Sequence, residues 1–181
     1  MLGIDDGPFE KFVPGAQAPL VGVMMEGPDV VEAVALTRFP VDGDGVTEFL
    51  GDWIESLRFR PALQALVFGG ITLAGLALLD PEALARRLAV PVLVVNRRPP
   101  RDEALRHALC AAGLEERVAQ LEREPAAFPV GDLHASLSGA GPELAAILLE
   151  RTRGKSALPE PLRIAHLIAR ALATGQSRGR A

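Results

Sequence analysis

Two short apolar runs, Leu63–Phe68 and Val90–Val95, separated by a helix-sized segment, constrain this chain more than any other feature. In Val90–Val95 five of the six residues are apolar and most are β-branched, which suits a buried strand. Leu63–Phe68 reads the same way and ends at Gly69-Gly70. A loop or short helix is expected through Gly75, then a helix over Pro81–Leu88 with proline in its first turn, where a missing N–H has no partner to lose. Upstream, Leu2–Ile4 is a strand broken by Asp5-Asp6-Gly7-Pro8, and Leu20–Met25 and Val30–Leu36 form an antiparallel hairpin across Glu26-Gly27-Pro28-Asp29. Helices are expected over Thr47–Leu57, Asp102–Ala112, Glu115–Glu122, Pro142–Arg151 and Pro161–Ala173, with a weak strand at Asp132–Ser138. A meander followed by alternating helix and strand implies an α/β domain with a mixed sheet. Sites in such sheets form at the carboxyl ends of strands, where Asp5, Asp6 and Gly69 would lie.

Length and composition narrow the class. At 181 residues, 49% apolar and 23% charged, residues 1–181 are expected to form one globular domain. No apolar run reaches the roughly 18 residues of a membrane span, and no secretory signal is visible at the N-terminus. The lone Cys110 excludes an internal disulfide and a multi-cysteine metal site, and reads as a buried, inert thiol. These signs favour a cytoplasmic protein. A net charge of −4 argues against a general nucleic-acid binder, but residues 151–181 carry seven Arg or Lys against Glu160 alone. That end holds +6 and the first 150 residues −10, so a basic C-terminal helix and tail can meet a phosphate backbone locally. A basic tail without a partner fits the same numbers equally well.

Pro159-Glu160-Pro161-Leu162-Arg163-Ile164-Ala165-His166 opens the last helix. Arg163, His166 and Arg170 fall at i, i+3 and i+7 and share a face. On spacing alone a solvated basic face is favoured over an anion site. Asp5 and Asp6 at a strand end suit Mg²⁺, although Asp-Gly is also ordinary turn chemistry. Asp42-Gly43-Asp44-Gly45 with Glu48 is a second acidic cluster, in which Asp44 equally suits a helix N-cap. Gly154-Lys155-Ser156 resembles the end of a phosphate loop, but Leu149 stands where the first glycine belongs. His107 and His134 show no metal-ligand spacing.

Taken in order, the motifs stop looking independent. Leu2-Gly3-Ile4-Asp5-Asp6-Gly7-Pro8-Phe9, Val41-Asp42-Gly43-Asp44 with Thr47-Glu48, Gly70-Ile71-Thr72 with Gly75, Pro91-Val92 through Asn96-Arg97-Arg98-Pro99, the Pro159–His166 stretch and the closing Ser177–Ala181 together resemble the endonuclease dU family, related to endonuclease V. The resemblance implies a ribonuclease H-like fold, with a mixed five-stranded sheet flanked by helices. It also implies phosphodiester cleavage, dependent on Mg²⁺ or Mn²⁺, in DNA or RNA carrying a deaminated or damaged base such as uracil or inosine. No organic cofactor and no membrane are implied. By motif, Asp5 matches the metal ligand on the first strand, Asp44 or Glu48 lies nearest the second acidic position, and His166 matches the histidine of the closing motif. Arg163, Arg170, Lys155 and Arg178 are the expected nucleic-acid contacts. One departure stands out: where the family reads Leu-Asp-Gly-Ile with a metal-binding aspartate, this chain reads Phe68-Gly69-Gly70-Ile71, and Asp6 is the acid placed to compensate. The alternatives are a non-catalytic nucleic-acid binder and, without a supporting cofactor motif, an α/β protein handling a small molecule.

Overall fold

In the computed structural model, which describes residues 1–11, 13–100, 102–123 and 125–178, the apolar runs pair into one mixed sheet. The elements are β1 (Leu2–Asp6), β2 (Gln17–Glu26), β3 (Val30–Pro40), α1 (Val46–Ser56), β4 (Leu66–Phe68), β5 (Thr72–Leu73), β6 (Ala77–Leu78), α2 (Pro81–Leu88), β7 (Val92–Asn96), α3 (Asp102–Ala111), α4 (Val118–Leu121), β8 (Phe128–Val130), β9 (Leu133–Ser138), α5 (Glu143–Thr152) and α6 (Glu160–Thr174). The strand order is β3-β2-β1-β4-β7-β9-β8, with β5-β6 a separate pair. β1, β4 and β7 run parallel, and antiparallel strands flank them on both sides. The α/β class and mixed sheet match the sequence reading, but the sheet has 7 strands where five were expected. The two strands beyond five are β9, which answers to the weak strand expected at Asp132–Ser138 and docks against β7, and β8, which was not expected and pairs with β9. β8 is three residues long and contains Pro129, tolerated on an outermost strand because no further neighbour needs its N–H.

Both faces of the sheet are covered, which explains why the central strands are continuously apolar rather than alternating. Leu2, Ile4 and Leu20 pack with Leu50 and Ile54 of α1 and Leu84 and Leu88 of α2. On the opposite face Val67, Leu93 and Val95 meet Leu149 of α5 and Leu162 of α6, and Val21 and Val23 meet Ala165 and Ala169 of α6.

Several local expectations change. Gly45, with φ +73°, caps α1, and Asp44 makes no capping bond. The loop through Gly75 is the β5–β6 hairpin rather than a helix, held by Asp6 and Asp42, which accept from the Ala74 and Leu76 N–H groups. A 3-10 turn at Arg60–Ala62 delays β4 to Leu66, and Glu115–Glu122 divides into a 3-10 turn and the single turn of α4. Cys110 is exposed, because α3 buries only Leu109 and turns its thiol outward. Among the described residues no helix is long and apolar enough to cross a membrane.

Candidate functional site

Alternation along β1 sends Leu2 and Ile4 toward α1, and Gly3 and Asp5 toward α6. A Cβ on Gly3 would lie 2.3 Å from the Leu162 nitrogen, and one on Gly7 would lie 2.4 Å from the Ala169 carbonyl oxygen. Only glycine permits that approach, and the fully buried Ala165 and Ala169 provide the matching low side of the helix. The helix therefore lies directly on the strand, with Asp5 between the two points of closest approach. This brings residues 161 apart in sequence together: His166 Nδ1 sits 2.7 Å from Asp5 Oδ2.

Donation of that hydrogen bond to Asp5 raises the His166 pKa above its ordinary value, against the opposing effect of partial burial. With Nδ1 committed to Asp5, Nε2 is the ring nitrogen left for an incoming group. Asp6 points to the opposite face, where its Oδ2 accepts from the Ala74 N–H at 2.8 Å. Burial, reinforced by the Asp5 charge, pushes the Asp6 carboxyl up to about 6. Beside the pair lies a cavity of about 320 Å³, lined by Asp5, Gly69, Asn96, Arg97, Arg163 and His166 among others. A second cavity of about 290 Å³ adjoins it through Gly69 and Asn96 and is lined by Gly70, Thr72, Leu105 and Ser136.

Arg163 is not a solvated cation. Its Nε reaches Glu160 Oε1 and Oε2 at 2.9 and 2.8 Å, and Nη2 reaches Oε2 at 2.6 Å. Burial works to raise the Glu160 carboxyl, but Arg163 and the Lys155 N–H together hold it below its ordinary value. Gly154 makes room for it, since a Cβ there would stand 2.3 Å from Glu160 Cγ. Gly154-Lys155-Ser156 is thus the seat of a buried carboxylate, and the Lys155 side chain stays exposed. Arg170 and Arg178 are exposed, and Arg180 lies outside the described residues.

The remaining acids expected as ligands do not converge on Asp5. Asp44 and Glu48 lie at the start of α1, which packs on the other face of the sheet. Asp44 pairs with the buried Arg117, which also donates to the Leu76 and Asp42 carbonyls. Among the described residues no group of three His, Cys, Asp or Glu could hold a metal ion. Among the described residues Asp5 is the only carboxylate lining the cavity, and His166 already engages it, so these donors do not fit a resident Mg²⁺ or Mn²⁺ ion. Gly69 is a position on the same wall that supplies no side-chain donor. The Ile4–Phe68 register puts it beside Asp5, and a Cβ there would meet only Leu162 Cδ atoms at 3.8 and 3.9 Å. Sequence reasoning gave Asn96 and Arg97 no role, although both line the cavity. Their position just past the apolar run of β7, at a strand's carboxyl end, was the available signal.

The family model described as Endonuclease dU matches residues 1–173. The UPF0215 protein of Thermococcus gammatolerans is 36% identical over 183 residues, covering 98% of this chain and 93% of the relative. The UPF0215 protein of Methanopyrus kandleri is 33% identical, covering 98% and 92%. Among solved structures, a protein of unknown function from Archaeoglobus fulgidus superposes with a TM-score of 0.83 at 30% identity, covering 95% of this chain and 96% of its own. Ciona intestinalis endonuclease V, solved with an inosine-containing DNA, gives 0.61 at 15% identity and covers 96% and 85%. Human ENDOV gives 0.60 at 20% identity and covers 96% and 84%; these last two likenesses concern the fold.

Proposed function

The chain belongs to the Endonuclease dU family, and from that premise we propose that it is a nuclease-like protein acting on nucleic acid with a deaminated base. The observation that carries the proposal is the Asp5–His166 pair on the wall of a cavity at the carboxyl ends of β1, β4 and β7. In this reading a phosphodiester lies over His166. The imidazolium, whose charged form Asp5 favours, gives its Nε2 proton to the leaving oxygen as a water molecule adds to phosphorus and releases its own proton to solvent. Asn96 stands between the two cavities, and the second, with apolar walls and the Ser136 hydroxyl, is where the modified base lodges once it leaves the stack. Arg97, Arg170 and Arg178 hold the flanking backbone, which makes binding strongly salt-dependent. Arg163 serves mainly to order the start of α6 through Glu160. The ribonuclease H-like label and a single domain spanning residues 1–181 belong to this same reading.

A second reading, binding without cleavage, is favoured by two observations: no side-chain carboxylate at Gly69, and no three-membered His, Cys, Asp or Glu cluster among the described residues. Incubation of uracil- and inosine-containing DNA and RNA with the protein, with Mg²⁺, Mn²⁺ or EDTA, separates the two. Cleavage lost in Asp5→Asn and His166→Gln supports the nuclease. Salt-sensitive binding of modified strands with every strand left intact supports the binder. Neither binding nor cleavage of any modified strand rejects both.

A further inference from the structure

The floor of the second cavity is built from two rungs of the β7–β9 ladder. Val94 faces Ser136, and two residues along each strand Asn96 faces His134, so all four side chains leave the sheet on one face. Val94, Ser136 and Asn96 line the cavity of about 290 Å³. His134, the fourth member, is half-buried. Its Nδ1 is the one buried side-chain nitrogen or oxygen without a hydrogen-bond partner among the described residues. Such an orphan is costly to leave, so a group that can reach it gains by doing so. Cβ atoms of directly opposed residues lie ~4.5–5.5 Å apart, which puts the Asn96 carboxamide within reach of that nitrogen once its side chain turns. Asn96 also borders the first cavity, beside the Asp5–His166 pair, and so stands where the backbone and the base of one nucleotide would meet.

We propose that Asn96 determines specificity at this site and that His134 positions it, the two together presenting an amide donor to the carbonyl oxygen that deamination leaves in place of an exocyclic amine. The inference rests on the deaminated-base reading above. A carboxamide carries a donor on one arm and an acceptor on the other, and it reads either edge until a neighbour fixes it. A proton on His134 Nδ1 fixes it: Nδ1–H donates to Asn96 Oδ1, and Nδ2 turns into the cavity. There Nδ2 donates to O4 of uracil or O6 of hypoxanthine, whereas cytosine and adenine would set an amino group against an amino group. A bare Nδ1 would do the reverse, accepting from Nδ2 and turning Oδ1 toward an exocyclic amine. The Ser136 hydroxyl donates or accepts as required, so it adds affinity without preference. Asp102, the carboxylate among the described lining residues, is exposed at the start of α3, where water competes for it.

Fluorescence anisotropy of the full chain in EDTA, with single strands alike except for one central base, reads this without cleavage. The wild type is expected to bind uracil over cytosine and hypoxanthine over adenine by about tenfold or more. Asn96→Asp, whose carboxylate only accepts, should reverse both ratios. His134→Phe keeps a ring without Nδ1 and should bring both ratios near one, because the carboxamide is then free to turn. A ring that merely filled space would leave the ratios alone. NMR of the ring nitrogens of wild-type His134, with the uracil strand bound, is expected to show a proton on Nδ1, and this measurement does not depend on how the variants fold. Strands bound without preference or with the amino bases preferred, ratios unmoved in Asn96→Asp or His134→Phe, or a bare Nδ1 would each overturn the pair and leave the nucleic-acid reading standing. No binding of any strand would overturn both.

Discussion

Gly69→Asp tests whether the absence of one carboxylate is what keeps a divalent ion from this site. Sterically the change is mild: the new Cβ makes ordinary contact with Leu162 at 3.8–3.9 Å, and Gly69 does not occupy a left-handed conformation. Electrostatically it is not. Register puts the new side chain on the strand next to Asp5, about 5 Å away. Two negative charges at about 5 Å repel by ~3 kcal/mol at an effective dielectric of about 20 and by ~1 kcal/mol in water. Gly69 is exposed and Asp5 mostly covered, so the cost falls between these limits. Reduced freedom of the unfolded chain returns ~0.5–1 kcal/mol. In EDTA the variant should therefore lose about 1–2 kcal/mol, a fall in Tm of about 2–8 °C. A divalent cation reverses the sign, since the same proximity attracts a double positive charge. Mn²⁺ affinity should rise at least about tenfold, worth ~1.4 kcal/mol, and millimolar Mn²⁺ should recover the lost Tm. Calorimetric titration and thermal melts with and without Mn²⁺ read both effects. An equal loss of Tm in EDTA and Mn²⁺, with no heat of binding, would refute the reasoning and separate this cavity from metal chemistry.

Three further outcomes are expected. Asp5→Asn should lower the His166 pKa toward its ordinary value, read by NMR titration of the ring; because a raised histidine pKa stabilises the fold below its unfolded value and that gain is lost as pH rises through the folded one, the stability gap to wild type should be widest in mildly acidic solution and close as pH rises. Asp6→Asn keeps an acceptor for the Ala74 N–H and removes a carboxylate whose pKa stands at about 6 against an ordinary 3.8, so wild type should lose up to about 3 kcal/mol between pH ~4 and ~6 while the variant, by denaturant unfolding, stays flat and is more stable at neutral pH. Gly3→Ala forces a Cβ to 2.3 Å from the backbone of α6 and should cost at least about 3 kcal/mol, with loss of the Asp5–His166 contact seen as a fall in the His166 pKa; a thermal melt within a degree or two of wild type would show that the helix does not lie on the strand.

The local physics of this chain is legible in its sequence wherever one segment settles its own state. Val92–Val95 and Leu66–Phe68 are too apolar and too short for anything but buried strands, Pro81 opens α2 at the expected residue, and the Pro159–Pro161 start launches α6. Expectations failed or stayed open where a distant partner decided. Phe128–Val130 carries no strand signal of its own and becomes β8 only because β9 offers an edge, and of the loop or short helix left open through Gly75 the loop is realised, as a hairpin whose acceptors Asp6 and Asp42 come from elsewhere in the chain. Asp44 suits a helix cap by type, yet an ion pair with Arg117 claims it. Cys110 looked like a core residue by neighbourhood, and the rotation of α3 turned it outward.

The candidate site divides in the same way. Strand ends and helix starts, written in consecutive residues, placed Asp5 and His166, and it was the resemblance in motif order that singled out these two and Gly69 as site positions. Which of the named groups share one space was a matter for the tertiary structure alone. Gly3 and Gly7 let α6 touch the β1 backbone and so bring His166 to Asp5, whereas the pleat of β1 turns Asp6 to the other face and the packing of α1 carries Asp44 and Glu48 away. Side-chain chemistry is a property of single residues, but proximity across the sheet depends on register, layer and close approach, none of which a linear chain specifies until it packs.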